Sequence, residues 1–436
     1  MSAAIPPAGP SARGAAAQEW RKHWPLTLTT LVGSTFTGQH VYSTGVIMKP
    51  LNEAFGWSRG QVSLTVTMVG LGTVIVAPLV GMLVQRYGAR RVAMVSVPLT
   101  AALFASISLT GPQLWTYYAV FAVYSMVQVA IGPVLWASAI TSTFKASRGL
   151  ALGIGLSGVG FSSIIYPQAA LWLIKHHGWQ GVFVGLSATA LVLMTPLILF
   201  AFKPLHQGEA RRTAAIVAAA APALPGLTLR QAIRTSLFWR VILVLTTAAA
   251  TVSTIKVHLL PLLTDKGVST ATAASIVGVL GVSTLVGRWI GGFLLDRISA
   301  RVVALPFFIL PAIGCLVLAN FGGDGVTAAL LAAVLIGVSY GVDGDMLPFL
   351  ISRYFGPREY PKLFGLTMSF YGLGYGLAPP VAGFLFDTLG SYTVFLTVLA
   401  GTLLIAGLVA TTFGRYPDDE EPVPATPPQP EAAQGA

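Results

Sequence analysis

One arginine lies deep inside a long apolar stretch of this sequence. Residues 269–296 contain no charge other than Arg288 before the final Asp296. An apolar run of about 20 residues is long enough to cross a bilayer as a helix. A charge inside such a helix costs about 2.5–3.5 kcal/mol, so it faces a polar cavity or a partner. Because a guanidinium offers parallel donors to a carboxylate, Arg288 is a candidate ligand for an organic anion; a structural ion pair is the alternative.

Two aspartates lie in another apolar stretch at a similar depth. Arg288 comes 19 residues after Ser269, and Asp343 comes 18 residues after Gly325. Asp343 and Asp345 are two positions apart, so on a helix they point to nearly opposite faces and only one can share a cavity with Arg288. Protonation of that aspartate would free the arginine for a ligand and couple binding to protons. A fixed salt bridge is the other interpretation.

Several further polar side chains occur within apolar stretches. Lys256 could attract anions at the mouth of a cavity or extend to the membrane surface. His258 titrates near neutrality and could relay protons, or it could pack between helices. Gln39, His40 and Tyr42 could form a polar lining. Five more residues could add hydrogen bonds around a ligand or serve only in packing: Tyr124, Gln128, Tyr166, Tyr371 and Tyr375.

The composition is that of a membrane protein. Hydrophobic residues make up 54% of the chain and charged residues only 9%, against about 25% charged in soluble domains. The net charge of +11 comes from bases between apolar segments, with no basic stripe, so a nucleic-acid partner is not expected. Cys315 is the only cysteine, which excludes disulfides and cysteine metal sites. No metal or other cofactor is expected, and the N-terminus lacks the pattern of a signal peptide.

The apolar segments define the predicted fold. Twelve of them lie at about 25–48, 60–84, 91–110, 114–140, 148–174, 180–202, 236–263, 269–295, 301–320, 325–352, 361–386 and 391–413. We predict an all-α membrane protein with twelve transmembrane helices in two pseudo-symmetric six-helix bundles, at 21–202 and 236–415. A basic linker covers 203–235, and residues 1–20 and 416–436 have the composition of disordered tails.

The distribution of basic residues predicts the orientation. With both termini inside, 20 of the 26 lysines and arginines fall on the cytoplasmic side. Four fall outside, and Lys256 and Arg288 lie within segments. Because cytoplasmic loops are enriched in bases, we predict a multi-pass protein of the cell inner (plasma) membrane with both termini cytoplasmic.

The two halves of the chain repeat one another. A glycine followed by bases five and nine residues later occurs after segment 2 and again after segment 8. The two copies, 211 residues apart, are Gly81, Arg86 and Arg90, and Gly292, Arg297 and Arg301. Gly178 and Phe183 recur 212 residues later as Gly390 and Phe395. Matches in the same order at nearly one offset indicate two related six-helix halves.

These turns resemble a signature of the major facilitator superfamily, and the resemblance covers the chain between its two tails. Family members use this turn as a latch that joins the two halves on the cytoplasmic side, with an acid facing a helix N-terminus. Here Gln85 stands where the first copy usually has aspartate. The resemblance therefore implies that Asp296 and Arg297 carry more of the latch. A basic turn that only fixes topology is the alternative.

Other motifs resemble the monocarboxylate porter and oxalate:formate antiporter branches. They are Phe55-Gly56-Trp57-Ser58-Arg59, the Arg148-Gly-Leu-Ala-Leu-Gly-Ile start of segment 5, Ala378-Pro379-Pro380, and Asp387-Thr-Leu-Gly-Ser-Tyr392. The resemblance implies a carrier of small organic anions, often coupled to protons. Arg288 matches in position the arginine of segment 8 that binds carboxylate in that branch.

The predicted function is secondary transport of a small organic anion, a monocarboxylate, by proton symport. Anion exchange and proton-driven efflux of amphipathic drugs are the alternatives. The sequence contains neither a nucleotide-binding loop motif nor a recognisable set of catalytic residues, so an enzyme or an ATP-driven pump is not expected. The expected partners are the anion, protons and the lipid bilayer, with the chain acting as a monomer.

Overall fold

The fold is all helical. The computed structural model describes residues 12–145, 147–204, 226–295, 300–322, 325–356 and 358–414. The predicted latch residues Asp296 and Arg297 lie outside these ranges, as do most of the linker and the predicted tail from 416. Within the ranges there is no β-strand.

The helices follow the twelve apolar segments in order, and some segments are split in two. Those of the first six segments are α1 (Ala12–Phe36), α2 (Gln39–Phe55), α3 (Arg59–Tyr87), α4 (Ala89–Ser106), α5 (Leu114–Gln128), α6 (Pro133–Thr143), α7 (Arg148–Leu156) and α8 (Gly158–Pro196). The remainder are α9 (Leu229–Ala232), α10 (Ser236–Asp265), α11 (Thr270–Leu295), α12 (Ala300–Asn320), α13 (Val326–Phe355), α14 (Tyr360–Leu389) and α15 (Thr393–Thr411).

Eight helical stretches of the described chain are long and apolar enough to cross a membrane. One of them, Arg148–Ala201, has 54 residues, which is twice the length of a single crossing. Gly178 breaks this stretch with φ 69°, a left-handed conformation that glycine adopts without a steric penalty. The break separates the predicted segments 5 and 6. Segments 1, 10 and 11 are helical as well, and the helix of segment 10 is apolar over Val326–Val342.

The first helix begins earlier than the sequence predicts. Residues 12–20 belong to α1, in a stretch predicted as a disordered tail. The Glu19 carboxylate accepts hydrogen bonds from the backbone N–H groups of Lys145 (3.0 Å) and Ser147 (3.1 Å). The Trp20 ring packs against Phe144, with 5.4 Å between ring centroids. These contacts anchor the N-terminal part of α1 to the loop between α6 and α7.

The halves of the chain meet where glycines allow helices to approach closely. In α14, a Cβ atom added at Gly383 would lie 2.6 Å from the backbone nitrogen of Gly60 in α3. Further along the same pair of helices, Thr67 donates a hydrogen bond of 2.6 Å to the carbonyl of Gly376. Small residues permit this backbone contact between membrane helices. We call the two ends of the bundle the Arg59 end and the Arg90 end.

Candidate functional site

A break in the first segment shapes the centre of the molecule. α1 ends at Phe36 and α2 begins at Gln39, which leaves Thr37 and Gly38 outside the regular helices. The Gln128 side chain, at the end of α5, donates a hydrogen bond of 3.2 Å to the carbonyl oxygen of Thr37. Irregular backbone at membrane depth is tolerated where protein or a cavity replaces lipid. The break and its amide partner therefore form part of a cavity wall.

The cavity has a volume of about 290 Å³ and lies between the two halves of the chain. Its walls come from α2, α3, α5, α6, α8, α10 and α14. Most of the lining is apolar, for example Val41, Val69 and Met368. The residues of the predicted site that line it are Tyr42, Gln128, Lys256, Tyr371 and Tyr375.

Lys256 is the cationic residue in the lining of this cavity. It projects from α10, and its ammonium nitrogen lies 5.8 Å from the ring centroid of Tyr42 and 6.0 Å from that of Tyr375. The two tyrosines come from opposite halves of the chain. Lys256 precedes the end of α10 at Asp265 by nine residues, or about 13 Å of helix. The cation thus lies well inside the bundle, among aromatic rings whose faces attract it.

The structure places the other predicted lining residues elsewhere. His40 is 1% exposed and packs against Phe121, and its Nε2 lies 3.1 Å from the hydroxyl of Thr65. Tyr124 packs against the same His40 ring, with centroids 6.0 Å apart. Gln39 lines a much smaller void. All of these contacts lie within the N-terminal half of the chain.

Tyr166 borders a separate groove between α1 and α8. The groove has a volume of about 490 Å³, and its walls are apolar side chains such as Phe161, Ile165 and Trp172. These three side chains are 40%, 47% and 57% exposed, so the groove lies on the flank of the bundle. Tyr166 is not among the residues that line the central cavity.

Arg288 lies on the face of α11 that meets the N-terminal half. Gly281, on this face, packs against the Ser163 side chain and the Gly160 carbonyl of α8. Arg288 follows two turns later on nearly the same face. It comes 18 residues after the start of α11, about 27 Å from the Arg59 end. Arg288 is thus about 13 Å closer to the Arg90 end than Lys256, and it does not belong to the lining of the central cavity.

The backbones of Arg288 and Gly341 are in direct contact. A Cβ atom at Gly341 would clash with the backbone nitrogen of Arg288, so α11 and α13 touch at this level. Asp343 and Asp345 lie one half-turn and one turn further along α13. The positions of their side chains lie outside the described part of the structure. Their pairing with Arg288 remains a prediction.

The first copy of the predicted latch makes its described contacts within one half of the chain. Arg90 donates hydrogen bonds to the carbonyl oxygens of Ile198 (3.3 Å) and Leu199 (2.5 Å), where segment 6 ends in a π-helical turn. Arg86 lies over the ring of Tyr87, and Gly81 has open space around it. A base at the end of a helix satisfies carbonyls that have no partner within the helix. Gln85 is exposed, Gly292 belongs to α11, and Arg301 belongs to α12.

The Arg59 end is closed by charged groups from both halves. The Arg59 guanidinium donates hydrogen bonds of 2.5 and 2.7 Å to the two carboxylate oxygens of Asp265. It also lies over the ring of Phe386, 3.9 Å from the centroid. A bidentate pair of this kind is strong and directional. This ion pair connects the start of α3 to the end of α10.

A second acid closes the same end. The Asp387 carboxylate, in α14, accepts hydrogen bonds from the backbone N–H groups of Arg59 (3.1 Å) and Gly60 (2.9 Å) at the N-terminus of α3. The Tyr392 hydroxyl accepts another from Arg59 at 3.0 Å. We call Arg59, Gly60, Asp265, Asp387 and Tyr392 the Arg59 seal. From sequence, Arg59 was named only as part of the Phe55–Arg59 motif, and its pairing with Asp265 was not predicted.

His258, predicted as a proton relay, lies directly beneath the seal. It is 2% exposed, and its Nδ1 is 2.9 Å from the Tyr392 hydroxyl. Lys256 lies two residues away on α10 and faces the cavity. The structure thus brings a cation, an aromatic-lined cavity and a buried histidine together beneath a closed end. Among the described residues, no group of three His, Cys, Asp or Glu side chains is arranged to hold a metal ion.

Comparison with known protein families gives one match over most of the chain. Residues 30–344 and 292–435 match the family model described as the Major Facilitator Superfamily. The chain is 27% identical to monocarboxylate transporter 13 of Bos taurus over 279 residues, which cover 62% of this chain and 63% of the bovine protein. It is 24% identical to a gallate transporter of Pseudomonas putida, over 81% of this chain and 82% of that protein.

Solved structures show the same arrangement of helices. The crystal structure of a D-xylose–proton symporter superimposes with a TM-score of 0.70 at 15% identity, over 90% of this chain and 98% of the symporter. At this identity the likeness concerns the fold alone. The described helices therefore share the fold of that structure.

Proposed function

Because the chain belongs to the Major Facilitator Superfamily, a family of multi-pass membrane transporters rather than enzymes, we propose that it carries a small organic monoanion. The substrate class is a monocarboxylate, and transport runs by proton symport with alternating access. The observation that carries this proposal is the position of Lys256, which extends into a cavity between the two halves beside Tyr42 and Tyr375.

The chemistry of the cavity favours an anion with an apolar body. A single ammonium group is strongly attractive to a carboxylate where water is scarce. The apolar walls, including Val41, Val69 and Met368, suit the organic part of the ligand rather than a second charge. Phenol and amide groups of Tyr371, Tyr375 and Gln128 supply hydrogen bonds. The matches to a monocarboxylate transporter and to a gallate transporter support the same class.

Two cations at different depths suggest a path for the anion. Lys256 receives the carboxylate first, and Arg288, about 13 Å nearer the Arg90 end, receives it in a later step. Arg288 thus keeps the ligand role that the sequence predicts.

The distribution of loop charges gives this path a direction. With the bases of the Arg90 end in the cytoplasm, the Arg59 seal faces the outside. The seal and the cavity beneath it then correspond to a state closed to the outside. Transport proceeds by rocking of the halves about the cavity, in the inner (plasma) membrane.

The test is thermal stabilisation of the purified protein by single carboxylates at about pH 5.5 and 7.5. A ligand at about 100 times its Kd adds about 2.7 kcal/mol to the stability of the folded state. We expect a shift with one class of monocarboxylate, which is lost in Lys256→Gln and kept in Lys49→Gln. Lys49 is a matched control because it is exposed at the same end and pairs with Glu53.

Two results would contradict the proposal. One is an unchanged carboxylate shift in Lys256→Gln. The other is the absence of stabilisation by any carboxylate together with stabilisation by cationic amphiphiles, which would favour efflux of amphipathic drugs. In vesicles, carboxylate exchange without any uphill uptake in a pH gradient would favour an exchanger instead.

A further inference from the structure

His258 links the cavity helix to both halves of the seal. Its Nδ1 lies 2.9 Å from the Tyr392 hydroxyl. Its Nε2 lies 2.9 Å from the carbonyl oxygen of Pro379 in α14 and 3.3 Å from the hydroxyl of Ser63 in α3. One buried imidazole thus contacts two elements of its own half and, through Ser63 of α3, the other half, and this last contact must break if the Arg59 end opens.

These partners define which nitrogen carries the proton. A carbonyl oxygen can only accept, so Nε2 donates its hydrogen to Pro379. The Ser63 hydroxyl donates to the carbonyl of Arg59 at 2.7 Å, so toward His258 it acts as an acceptor as well. In the neutral ring Nδ1 is then the acceptor, and the Tyr392 hydroxyl donates to it.

The result is a chain of hydrogen bonds with one direction. Arg59 donates to the Tyr392 hydroxyl at 3.0 Å, Tyr392 donates to His258, and His258 donates to Pro379. Every link of this chain joins a donor to an acceptor while the imidazole is neutral. The closed Arg59 end is therefore built around a neutral histidine.

Protonation reverses one link of this chain. A proton that binds Nδ1 turns that nitrogen from acceptor to donor, and the Tyr392 hydroxyl must rotate away while its oxygen faces two donors. The new imidazolium also lies near the Arg59 guanidinium from α3. The acids that face this region are Asp265 at the end of α10 and Asp387 of α14, and both already bind the start of α3. Competition for these acids weakens the seal.

We propose that His258 is the proton-binding site that couples the proton gradient to opening of the Arg59 end. The proposal rests on the proposed function, because it assigns the coupling step of that transport. A proton from the outer medium binds Nδ1 and the seal opens toward the outside, so that the anion reaches Lys256. The end closes again over the bound anion, the proton and the anion leave on the other side, and Tyr392 then donates to Nδ1 once more.

The first experiment measures opening without any substrate. In a Cys315→Ser background, Val69→Cys places a thiol in the cavity, and a membrane-impermeant thiol reagent is applied to intact cells. Cys315 is buried, and Val69 lines the cavity. With each rate divided by that of a solvent-exposed reference thiol at the same pH, we expect labelling several-fold faster at about pH 5.5 than at about pH 7.5, and the same slow corrected rate at both pH values after His258→Gln.

Two further variants distinguish an effect of the hydrogen bonds around His258 from a general effect on the protein. His177→Gln, which changes an exposed histidine, should keep the pH response. Tyr392→Phe should abolish the response through faster labelling at both pH values, because Arg59 and His258 lose their common partner. A pH response in His258→Gln equal to that of the parent would overturn the proposal, and so would a normal response in Tyr392→Phe.

The second experiment measures coupling in vesicles. His258→Gln should retain the thermal shift by carboxylate in the purified protein, and should lose uphill uptake driven by a pH gradient. Uphill uptake equal to the wild type would overturn the role of His258. A wrong substrate class would give a different result from a wrong role of His258. If the substrate class were wrong, the wild type would respond to no carboxylate, while the labelling experiment would still report on His258.

Discussion

The carboxylate of Asp387 accepts a hydrogen bond of 2.9 Å from the backbone N–H of Gly60, a residue 327 positions earlier in the chain. An acid of the C-terminal half thus binds the N-terminus of α3, the helix of the N-terminal half that begins at Arg59. The N-terminus of a helix favours negative charge, because its first N–H groups have no partners within the helix. Closure of the Arg59 end therefore depends on an interaction that exists only while the halves touch there.

Removal of this charge should favour opening. Asp387→Asn keeps an oxygen acceptor but loses the interaction of the carboxylate with the helix dipole, worth about 0.3–1 kcal/mol. We expect faster labelling of Val69→Cys from the outside at about pH 7.5, by a factor of up to about five. Glu53→Gln, an exposed change at the same end, is the control. Unchanged labelling in Asp387→Asn would contradict a role for this cap.

Arg59 and Asp265 should act as one unit. Their side chains are 20% and 31% exposed, so solvent screens the pair only in part. Arg59→Lys loses the fork geometry, and Asp265→Asn loses the charge. In a double-mutant cycle read by thiol labelling, we expect a coupling energy of about 1 kcal/mol. Additive effects of the two changes would show that the ion pair does not hold the seal.

Extra volume at the contact of α3 with α14 should also open the Arg59 end. Gly383→Ala places a methyl group within 2.6 Å of the Gly60 backbone nitrogen, so the helices must move apart. We expect faster thiol labelling from outside and weaker dependence on pH. Gly365→Ala, in the same helix but with open space around its Cβ position, should leave labelling unchanged. Equal effects of both variants would point to helix propensity instead.

Arg288 should be needed for transport and not for folding. A hydrogen bond to a charged group contributes about 1.5–3 kcal/mol, so Arg288→Ala should reduce carboxylate transport by at least about tenfold. Uptake into vesicles is the readout, with yield and monodispersity as checks of folding. Lys49→Ala removes an exposed charge that pairs with Glu53 and should preserve uptake. Normal uptake by Arg288→Ala would remove it from the anion path.

The contact between Glu359 and Leu229, at the end of the linker, should depend on pH. Its carboxylate binds the ammonium of Lys362 and the backbone N–H of Leu229, and these contacts lower the pKa of Glu359 below its ordinary value. A carboxyl whose pKa is lower in the folded than in the unfolded protein stabilises the folded protein at pH values above its pKa in the unfolded protein. This contribution is lost as the pH falls through its pKa in the folded protein. Thermal unfolding should therefore separate wild type from Glu359→Gln at neutral pH and not in acid. A difference that persists in acid would contradict this.

The order and type of the helices could be predicted from sequence because each segment must be apolar over the thickness of a bilayer. The break at Gly178 followed from the gap between two apolar runs. Part of the site was also accessible: Tyr42, Gln128, Lys256, Tyr371 and Tyr375 were candidates because polar groups are rare in membrane helices. Their common cavity could not be predicted, because it depends on which face of each helix turns inward.

From sequence alone we could predict a bundle of membrane helices with Lys256 and Arg288 as cations within them. The tertiary structure sets the depths of the two cations, which separate them along the interface between the halves. It also decided that His40 and Tyr124 pack within one half, and that Asp387 reaches the start of α3. The physical reason is that pairing between halves joins positions far apart in the chain. Helical periodicity reports only the local surroundings of each residue.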